Sequence, residues 1–268
     1  ETQGSIIAPA DVNSTVGLKT SRGLVSRDYV IPLLPWQDVP GPIGRTVTDV
    51  AVLLSAMTGV DENDAETANS ADLAGTDFTQ FLNAEALTDI RVGISLWTDE
   101  AFDDLFEKMD VTDPDQQNDL RNTILTQNMP KQAIADVLTE AGVTVVGIPV
   151  SAIPAAVDVD AALEYGYKEA INDFLTALGD DAPVGSLEEI IAFNNEDLAN
   201  RAPYGQNHLE SSQNTVVTAE QYEEIRQNNQ QTASDSIDQL FADYGIDVIL
   251  SNVAQLYAPA GYPALTIP

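Results

Sequence analysis

Residues 130–148 read PKQAIADVLTEAGVTVVGI: a helical pattern, then one glycine, then a run of β-branched residues. Pro130 suits the first turn of a helix, because the N–H group that proline lacks would be unpaired there in any case. We expect this helix to continue to Glu140 and to end at Gly142, and we predict a buried strand over residues 143–148. A helix, a glycine and an apolar strand in this order are typical of one αβ unit in a parallel sheet.

The same order recurs near the end of the chain. Residues 218–244 form a predicted long helix, Gly245 ends it, and residues 247–250 form a short apolar strand. Further predicted helices cover residues 46–58, 100–108, 119–127, 161–178 and 186–193, and further strands cover residues 90–96 and 264–268. Together these segments predict an α/β fold, with a mixed, mainly parallel β-sheet core and helices on both faces.

Two segments lack helical periodicity. The first forty-odd residues are rich in glycine and proline, and we expect loops there between short strands at residues 23–25 and 29–33. Residues 61–77 are polar and are predicted to form an exposed loop. The acidic runs at residues 61–64 and 110–115 lack the spacing of a calcium-binding loop, so we interpret both as solvated surface.

The composition limits the chemistry that this chain can perform. Its 268 residues include 43 acidic and 11 basic side chains, for a net charge of −32, with one histidine and no cysteine. Thiol nucleophiles, disulfides, thiolate-bound metals and sites with several histidines are therefore excluded. The charge repels phosphate backbones, so we expect no nucleic-acid partner, and so acidic a surface suits high salt. No apolar run reaches the length that spans a bilayer, so we expect no membrane partner.

An ordered set of motifs runs along the chain. These are Glu1-Thr2-Gln3-Gly4-Ser5, Val16-Gly17-Leu18-Lys19, Arg22-Gly23, Gln37-Asp38-Val39-Pro40-Gly41-Pro42, Arg45-Thr46-Val47, Tyr204-Gly205-Gln206 and Ala260-Gly261-Tyr262-Pro263. In this order they resemble the amidase-signature serine hydrolases nearly from end to end, whereas a Gly-Ser pair alone would carry no information. The short connection from Asp247 to Gly261 is similar to that of the bacterial and fungal amidases and the peptide amidases.

The resemblance implies that Ser5 is the nucleophile that becomes acylated. It also implies that the backbone N–H groups of Thr2, Gln3, Gly4 and Ser5 form the oxyanion hole. Gln3 departs from the residues common in the family, but a backbone N–H group can do this work whatever the side chain is. The physical requirements agree, because a serine hydroxyl is a weak nucleophile that needs a base and donors for the developing oxyanion.

Four polar residues near this loop are expected to be structural: Lys19, Arg22, Asp38 and Arg45. We expect Lys19 and Arg22 to pair with carboxylates or carbonyl groups around the site. Asp38 is expected to fix a loop, since aspartate readily accepts hydrogen bonds from backbone N–H groups. We expect Arg45 to form an ion pair or carbonyl contacts near the start of the helix.

The family's base is a lysine that acts through a second serine held by a cis peptide bond, and the resemblance places both before residue 1. It also places part of the family domain after residue 268. We therefore expect residues 1–268 to be part of a single amidase-signature domain, incomplete at both ends and inactive alone. Within the chain, His208 is the alternative base for Ser5, but its polar surroundings favour a surface histidine.

The leading hypothesis is an amidase that hydrolyses a small-molecule or peptide amide to an acid and ammonia or an amine. The resemblance implies no metal and no cofactor, and a homodimer is compatible with it. One alternative is a noncatalytic relative or fragment that binds a ligand without turnover. Another is an amidotransferase A-type subunit that supplies ammonia to glutamyl-tRNA. No targeting segment is visible, so the sequence fits a cytoplasmic or a secreted protein.

Overall fold

The computed structural model describes residues 1–250 and 255–267, and within them the chain forms two compact units. The first unit contains Glu1–Gln80, Val157–Ser234 and Tyr257–Pro268, and the second contains Phe81–Ala156 and Asp235–Leu256. Each unit therefore consists of segments that are distant in the sequence. The connection from Asp247 to Gly261 lies partly outside the described residues.

The described residues form ten α-helices and six strands. The helices are α1 (Ile7–Val12), α2 (Val47–Met57), α3 (Asp99–Lys108), α4 (Pro114–Glu140), α5 (Asp160–Leu178), α6 (Leu187–Asn195), α7 (Leu198–Arg201), α8 (Asn207–Gln213), α9 (Ala219–Tyr244) and α10 (Tyr257–Ala260). The strands are β1 (Val16–Lys19), β2 (Ile43–Gly44), β3 (Arg91–Leu96), β4 (Thr144–Pro149), β5 (Val248–Leu250) and β6 (Ala264–Thr266). In the described part of the chain, no helix is long and apolar enough to cross a membrane.

Local sequence explains where helix α2 begins. The Thr46 hydroxyl accepts a hydrogen bond from the Asp49 N–H at 3.1 Å, and the Asp49 carboxylate accepts one from the Thr46 N–H at 3.0 Å. This reciprocal capping box satisfies two N–H groups that a helix start would leave unpaired. The apolar face of α2 then buries Val50 and Leu54, which confirms the helix predicted from the periodicity.

The first unit contains a small antiparallel sheet with the strand order β2-β1-β6. Residues of β1 pair with β6 in the register Gly17–Thr266 and Lys19–Ala264, so the two ends of the described chain meet here. Elsewhere in this unit, Ile171 and Leu175 of α5 pack with Leu187 of α6. The antiparallel sheet positions the residues of the candidate site described below.

The second unit contains a parallel sheet with the order β4-β3-β5. Val92 and Ile94 of the central strand β3 pack with Ala135 of helix α4 and with Val143. Because alternate residues of a strand point to opposite faces, Val92 and Ile94 form one apolar row under this helix. The prediction of an α/β fold with a parallel sheet is confirmed, and the antiparallel sheet of the first unit was not predicted.

Three local predictions are wrong. Residues 119–140 do not divide at Pro130, because helix α4 continues through that proline; a proline removes one N–H donor but leaves the flanking turns able to form theirs. Residues 23–25 and 29–33 are not strands, and only Val25 forms an isolated bridge, with Thr58. Residues 61–77 contain a 3-10 helix (Ala65–Leu73) and bury Asp64 and Thr67 rather than forming an exposed loop.

Candidate active site

The Gly4-Ser5 turn lies directly before helix α1. Ser5 is exposed, and its hydroxyl forms no hydrogen bond within the described residues. Gly4 is buried and has a φ of 117°, a left-handed conformation that a residue with a side chain rarely adopts. The Gly4 carbonyl accepts a hydrogen bond from the Ala8 N–H at 2.8 Å, which ties the turn to the start of the helix. The turn thus presents the Ser5 hydroxyl to solvent on a constrained backbone.

Backbone N–H groups around Ser5 fall into two sets. Those of Thr2, Gln3, Gly4 and Ser5 donate no hydrogen bond within residues 1–250 and 255–267. The next two, of Ile6 and Ile7, both donate to one oxygen of the Glu1 carboxylate, at 2.6 and 2.9 Å. Four consecutive donors therefore stay available beside the serine, a set of groups that can stabilise a developing oxyanion.

Asp38 and Gln37 hold the loop through Thr2. The Thr2 hydroxyl donates to one oxygen of the buried Asp38 carboxylate at 2.5 Å. The other oxygen accepts from the N–H groups of Leu33 and Leu34, at 2.8 and 2.9 Å. The Gln37 side-chain amide donates to the Thr2 carbonyl at 3.0 Å. Thr2 is therefore fixed at both its side chain and its backbone.

The first residue of the loop is also fixed. The backbone nitrogen of Glu1 donates to the Val39 carbonyl at 2.6 Å, and the Val39 N–H donates to the Glu1 carbonyl at 2.9 Å. This pair of hydrogen bonds joins the loop to the segment that carries Asp38. The carboxylate oxygen of Glu1 that does not accept from Ile6 and Ile7 is buried as well.

Lys19, at the end of strand β1, is completely buried. Its ammonium group donates to the carbonyl groups of Thr20 at 3.1 Å and Tyr262 at 2.8 Å. Burial lowers the pKa of Lys19 from its ordinary value of 10.5 to about 8, while the negative charge of Glu1 opposes this change and the positive charge of Arg22 adds to it. Burial, supported by the charge of Glu1, also raises the pKa of Tyr257. These effects place Glu1, Lys19 and Tyr257 in one electrostatic environment.

The two predicted arginines have different surroundings. Arg22 donates to the Trp36 carbonyl at 2.9 Å and forms an ion pair of 3.0 Å with Glu66. Arg45 is exposed, and the described residues provide no ion pair or hydrogen bond for its side chain. The expected contact of Arg45 near the start of helix α2 is therefore not seen among the described residues; Thr46 and Asp49 cap that helix start, where an arginine side chain has no acceptor to offer.

Sequence reasoning missed a buried ion pair in the same unit. Arg27 forms two hydrogen bonds with the Asp64 carboxylate, at 2.8 and 2.6 Å. This bidentate contact with Arg27 lowers the pKa of Asp64 to about 2. The interpretation of residues 61–64 as solvated surface is wrong at Asp64. No local pattern marks the pair, because its members are 37 residues apart.

His208 lies elsewhere in the first unit. It is exposed in the first turn of helix α8, and its side chain has no hydrogen-bond partner among the described residues. With Arg201, Tyr204 and Gln206 it lines a cavity of about 450 Å³ whose lining does not include Ser5. Among the described residues, no carboxylate accepts a hydrogen bond from His208 that would orient it as a base. Residues 1–250 and 255–267 also contain no group of three or more His, Asp or Glu arranged to hold a metal.

Sequence comparison identifies relatives along the whole chain. Residues 1–264 match the Amidase family. A probable amidase from Arabidopsis thaliana is 28% identical over 274 residues, which include all of this chain and 49% of that protein. The A-type subunit of a glutamyl-tRNA(Gln) amidotransferase from Rippkaea orientalis is 43% identical over 94 residues, 35% of this chain and 19% of that protein.

Solved structures extend the similarity to the fold. An amidase family protein from Bacillus anthracis has a TM-score of 0.80 at 33% identity, over all of this chain and 49% of that protein. Native peptide amidase from Stenotrophomonas maltophilia has a TM-score of 0.73 at 27% identity, over all of this chain and 54% of that protein. The chain therefore spans about half the length of the relatives that it matches.

The mixed α/β fold and these similarities define one class of protein, the amidase-signature proteins. The chain belongs to the amidase family, whose proteins carry the amidase signature.

Proposed function

We propose that this chain carries the nucleophile and the oxyanion hole of an enzyme that hydrolyses carboxylic amides. The Ser5 oxygen attacks the amide carbonyl carbon, and the resulting tetrahedral oxyanion accepts hydrogen bonds from the N–H groups of residues 2–5. The C–N bond then breaks, and ammonia or an amine leaves with a proton that came from the serine. Water hydrolyses the acyl-serine ester, which releases the acid and restores Ser5.

The observation that carries this proposal is the row of unbonded donors at the serine. Four consecutive N–H groups, from Thr2 to Ser5, have no partner within the described residues, although Thr2 and Gly4 are buried. Buried backbone N–H groups are nearly always paired in folded proteins, so unpaired ones require an explanation. Donors held in place before the reaction stabilise an oxyanion without reorganisation, and each is worth about 10²–10³ in turnover.

The base belongs to the proposal through the family resemblance. A lysine that acts through a second serine, both before residue 1, would take the proton of Ser5. Lys19 does not suit this role, because its ammonium group is buried and donates to the carbonyl groups of Thr20 and Tyr262 rather than to Ser5. We propose a small-molecule or peptide amide as the substrate, since a peptide amidase is among the structural neighbours.

Covalent labelling tests the nucleophile. A fluorophosphonate should label the full-length protein at Ser5, and mass spectrometry of the labelled peptide should locate the adduct. Ser5→Ala should lose the label and amide hydrolysis while it keeps its melting temperature. Ser14→Ala is a matched control, because it removes another serine of the same segment and should leave labelling unchanged. An adduct on any other serine would refute the assignment of Ser5.

A second candidate function is ammonia supply in an amidotransferase. The identity of 43% to the A-type subunit of an amidotransferase favours it, but that match covers only 35% of this chain. The net charge of −32 opposes contact with tRNA. Ammonia release from a simple amide without tRNA or further protein chains supports the amidase, whereas release that depends on glutamyl-tRNA supports the amidotransferase.

A further inference from the structure

The Glu1 carboxylate closes a ring of backbone around the proposed nucleophile. One of its oxygens accepts both the Ile6 N–H, at 2.6 Å, and the Ile7 N–H, at 2.9 Å. Ser5 lies between the residue that provides this oxygen and the two residues that provide the N–H groups. Hydrogen bonds to a charged acceptor are about twice as strong as neutral ones, so this contact constrains the turn in addition to the contacts of Asp38 with Thr2.

The Glu1 contact also divides the backbone N–H groups near Ser5 into a hydrogen-bonded set and an unbonded set. Without Glu1, the N–H groups of residues 2–7 would form six consecutive unbonded donors at the start of α1, and the helix start could shift. With Glu1, the donors of Ile6 and Ile7 are occupied and those of residues 2–5 are not. The side chain therefore determines which N–H groups a substrate oxygen can reach.

From this geometry we infer that Glu1 is a positioning residue for the Ser5 reaction: its carboxylate oxygen holds the Ile6 and Ile7 N–H groups and so fixes the oxyanion loop. The inference rests on the proposed function of Ser5. Glu1 acts through the backbone, because its carboxylate accepts hydrogen bonds from the N–H groups of Ile6 and Ile7. A displacement of about 1 Å in such a support can cost about 10²-fold in rate.

Two variants of equal size separate the acceptor from the charge. Glu1→Gln loses the charge but keeps an oxygen that can accept both N–H groups, whereas Glu1→Met loses the charge and the acceptor. The probe is a fluorophosphonate, whose phosphoryl oxygen needs the oxyanion hole whatever the natural substrate is. We expect the maximal labelling rate of Ser5 to fall about 100-fold in Glu1→Met and less than about fivefold in Glu1→Gln. The concentration for half-maximal rate should change less than about threefold in both, because the binding contacts of the probe are unaltered.

Asp49→Ala provides the matched control, because Asp49 also accepts a backbone N–H at a helix start but lies in α2. Its labelling rate should stay within about twofold of the wild-type rate. Equal losses in Glu1→Gln and Glu1→Met would overturn the inference, since charge rather than the acceptor would then be responsible. Normal labelling of Glu1→Met would overturn it as well.

Hydrogen exchange of the unmodified protein provides a test that does not depend on a variant folding. The amides of Ile6 and Ile7 should exchange about 100-fold more slowly than those of Gln3 and Ser5, because only the former are hydrogen-bonded. Equal exchange rates would overturn the positioning role even if Ser5 is the nucleophile. A fluorophosphonate adduct on another serine, with Ile6 and Ile7 still protected, would instead refute the proposed function and leave the Glu1 contact intact.

Discussion

Replacing Lys19 with methionine should remove a pH-dependent part of the protein's stability. Lys19 is completely buried, and its acceptors in the described residues are two neutral backbone carbonyl groups, so its ammonium form is costly in the folded state. Its pKa is about 8 in the folded protein, against an ordinary value of 10.5. At about 1.4 kcal/mol per pH unit, this difference corresponds to about 3 kcal/mol.

The sign follows from proton binding. Below pH 8 the lysine is protonated in both the folded and the unfolded protein, and the folded state bears the whole cost of the buried charge. Between about pH 8 and 10.5 the unfolded chain binds more protons than the folded one, so the free energy of unfolding rises with pH. The charged neighbours Glu1 and Arg22 remain in the variant, so a comparison with Lys19→Met isolates the contribution of Lys19.

Urea denaturation of the full-length protein, followed by tryptophan fluorescence, measures this effect. Between about pH 7.5 and pH 10, the unfolding free energy of the wild type should rise by about 2 kcal/mol relative to that of Lys19→Met. Lys108→Met is the matched control, because Lys108 is exposed and its pair with Asp104 lies on the surface of one helix; it should follow the wild type. Parallel pH curves for the wild type and Lys19→Met would refute the reasoning.

Two further substitutions test the packing beside the serine loop and the alternative base. Gly41→Ala should destabilise the protein by about 3 kcal/mol in thermal or urea unfolding, because its new methyl carbon would lie 2.0 Å from the Leu18 carbonyl oxygen. Gly59→Ala is the control and should change stability little, because apart from its chain neighbours no described residue has an atom within 4 Å of the added methyl carbon. His208→Ala should retain most amide hydrolysis, because His208 is exposed and no carboxylate of the described residues orients it. A loss of about 10⁴-fold in turnover, with the fold intact, would instead indicate that His208 is the base for Ser5.

Local elements followed from the sequence with few errors. Helix α2, strand β3 and the order of helix, glycine and strand from α4 to β4 depend on periodicity and caps within about twenty residues. The helix start predicted at Pro130 is wrong, because proline favours the first turn of a helix but can also occupy an interior position. The strands proposed at residues 23–25 and 29–33 are absent. Glycine and proline indicate where the chain turns, but a strand also needs a partner strand beside it, and these residues do not predict one.

In the candidate site too, some features were predicted from the sequence and others were seen only in the structure. The motif around Ser5 and the expectation that Asp38 fixes a loop came from the sequence, since both depend on residue types in a fixed order. The contacts of Glu1 with Ile6 and Ile7 were not foreseen, although all three residues lie within one short segment. A carboxylate near a serine turn can face the solvent or fold back on its own backbone, and the sequence does not distinguish these conformations.

By itself, the sequence determined the α/β class, most helices and parallel strands, and the serine loop with its family resemblance. Helices and turns depend on hydrogen bonds between residues a few positions apart, and strands show in the sequence as short runs of apolar, β-branched residues. Only the tertiary structure decided that Lys19 donates to the Tyr262 carbonyl, 243 residues away, and that β1 pairs with β6. It also decided that Asp64 pairs with Arg27 rather than with water. Such contacts depend on which distant segments the folded chain brings together, and that choice reflects the packing of the whole unit rather than any local pattern.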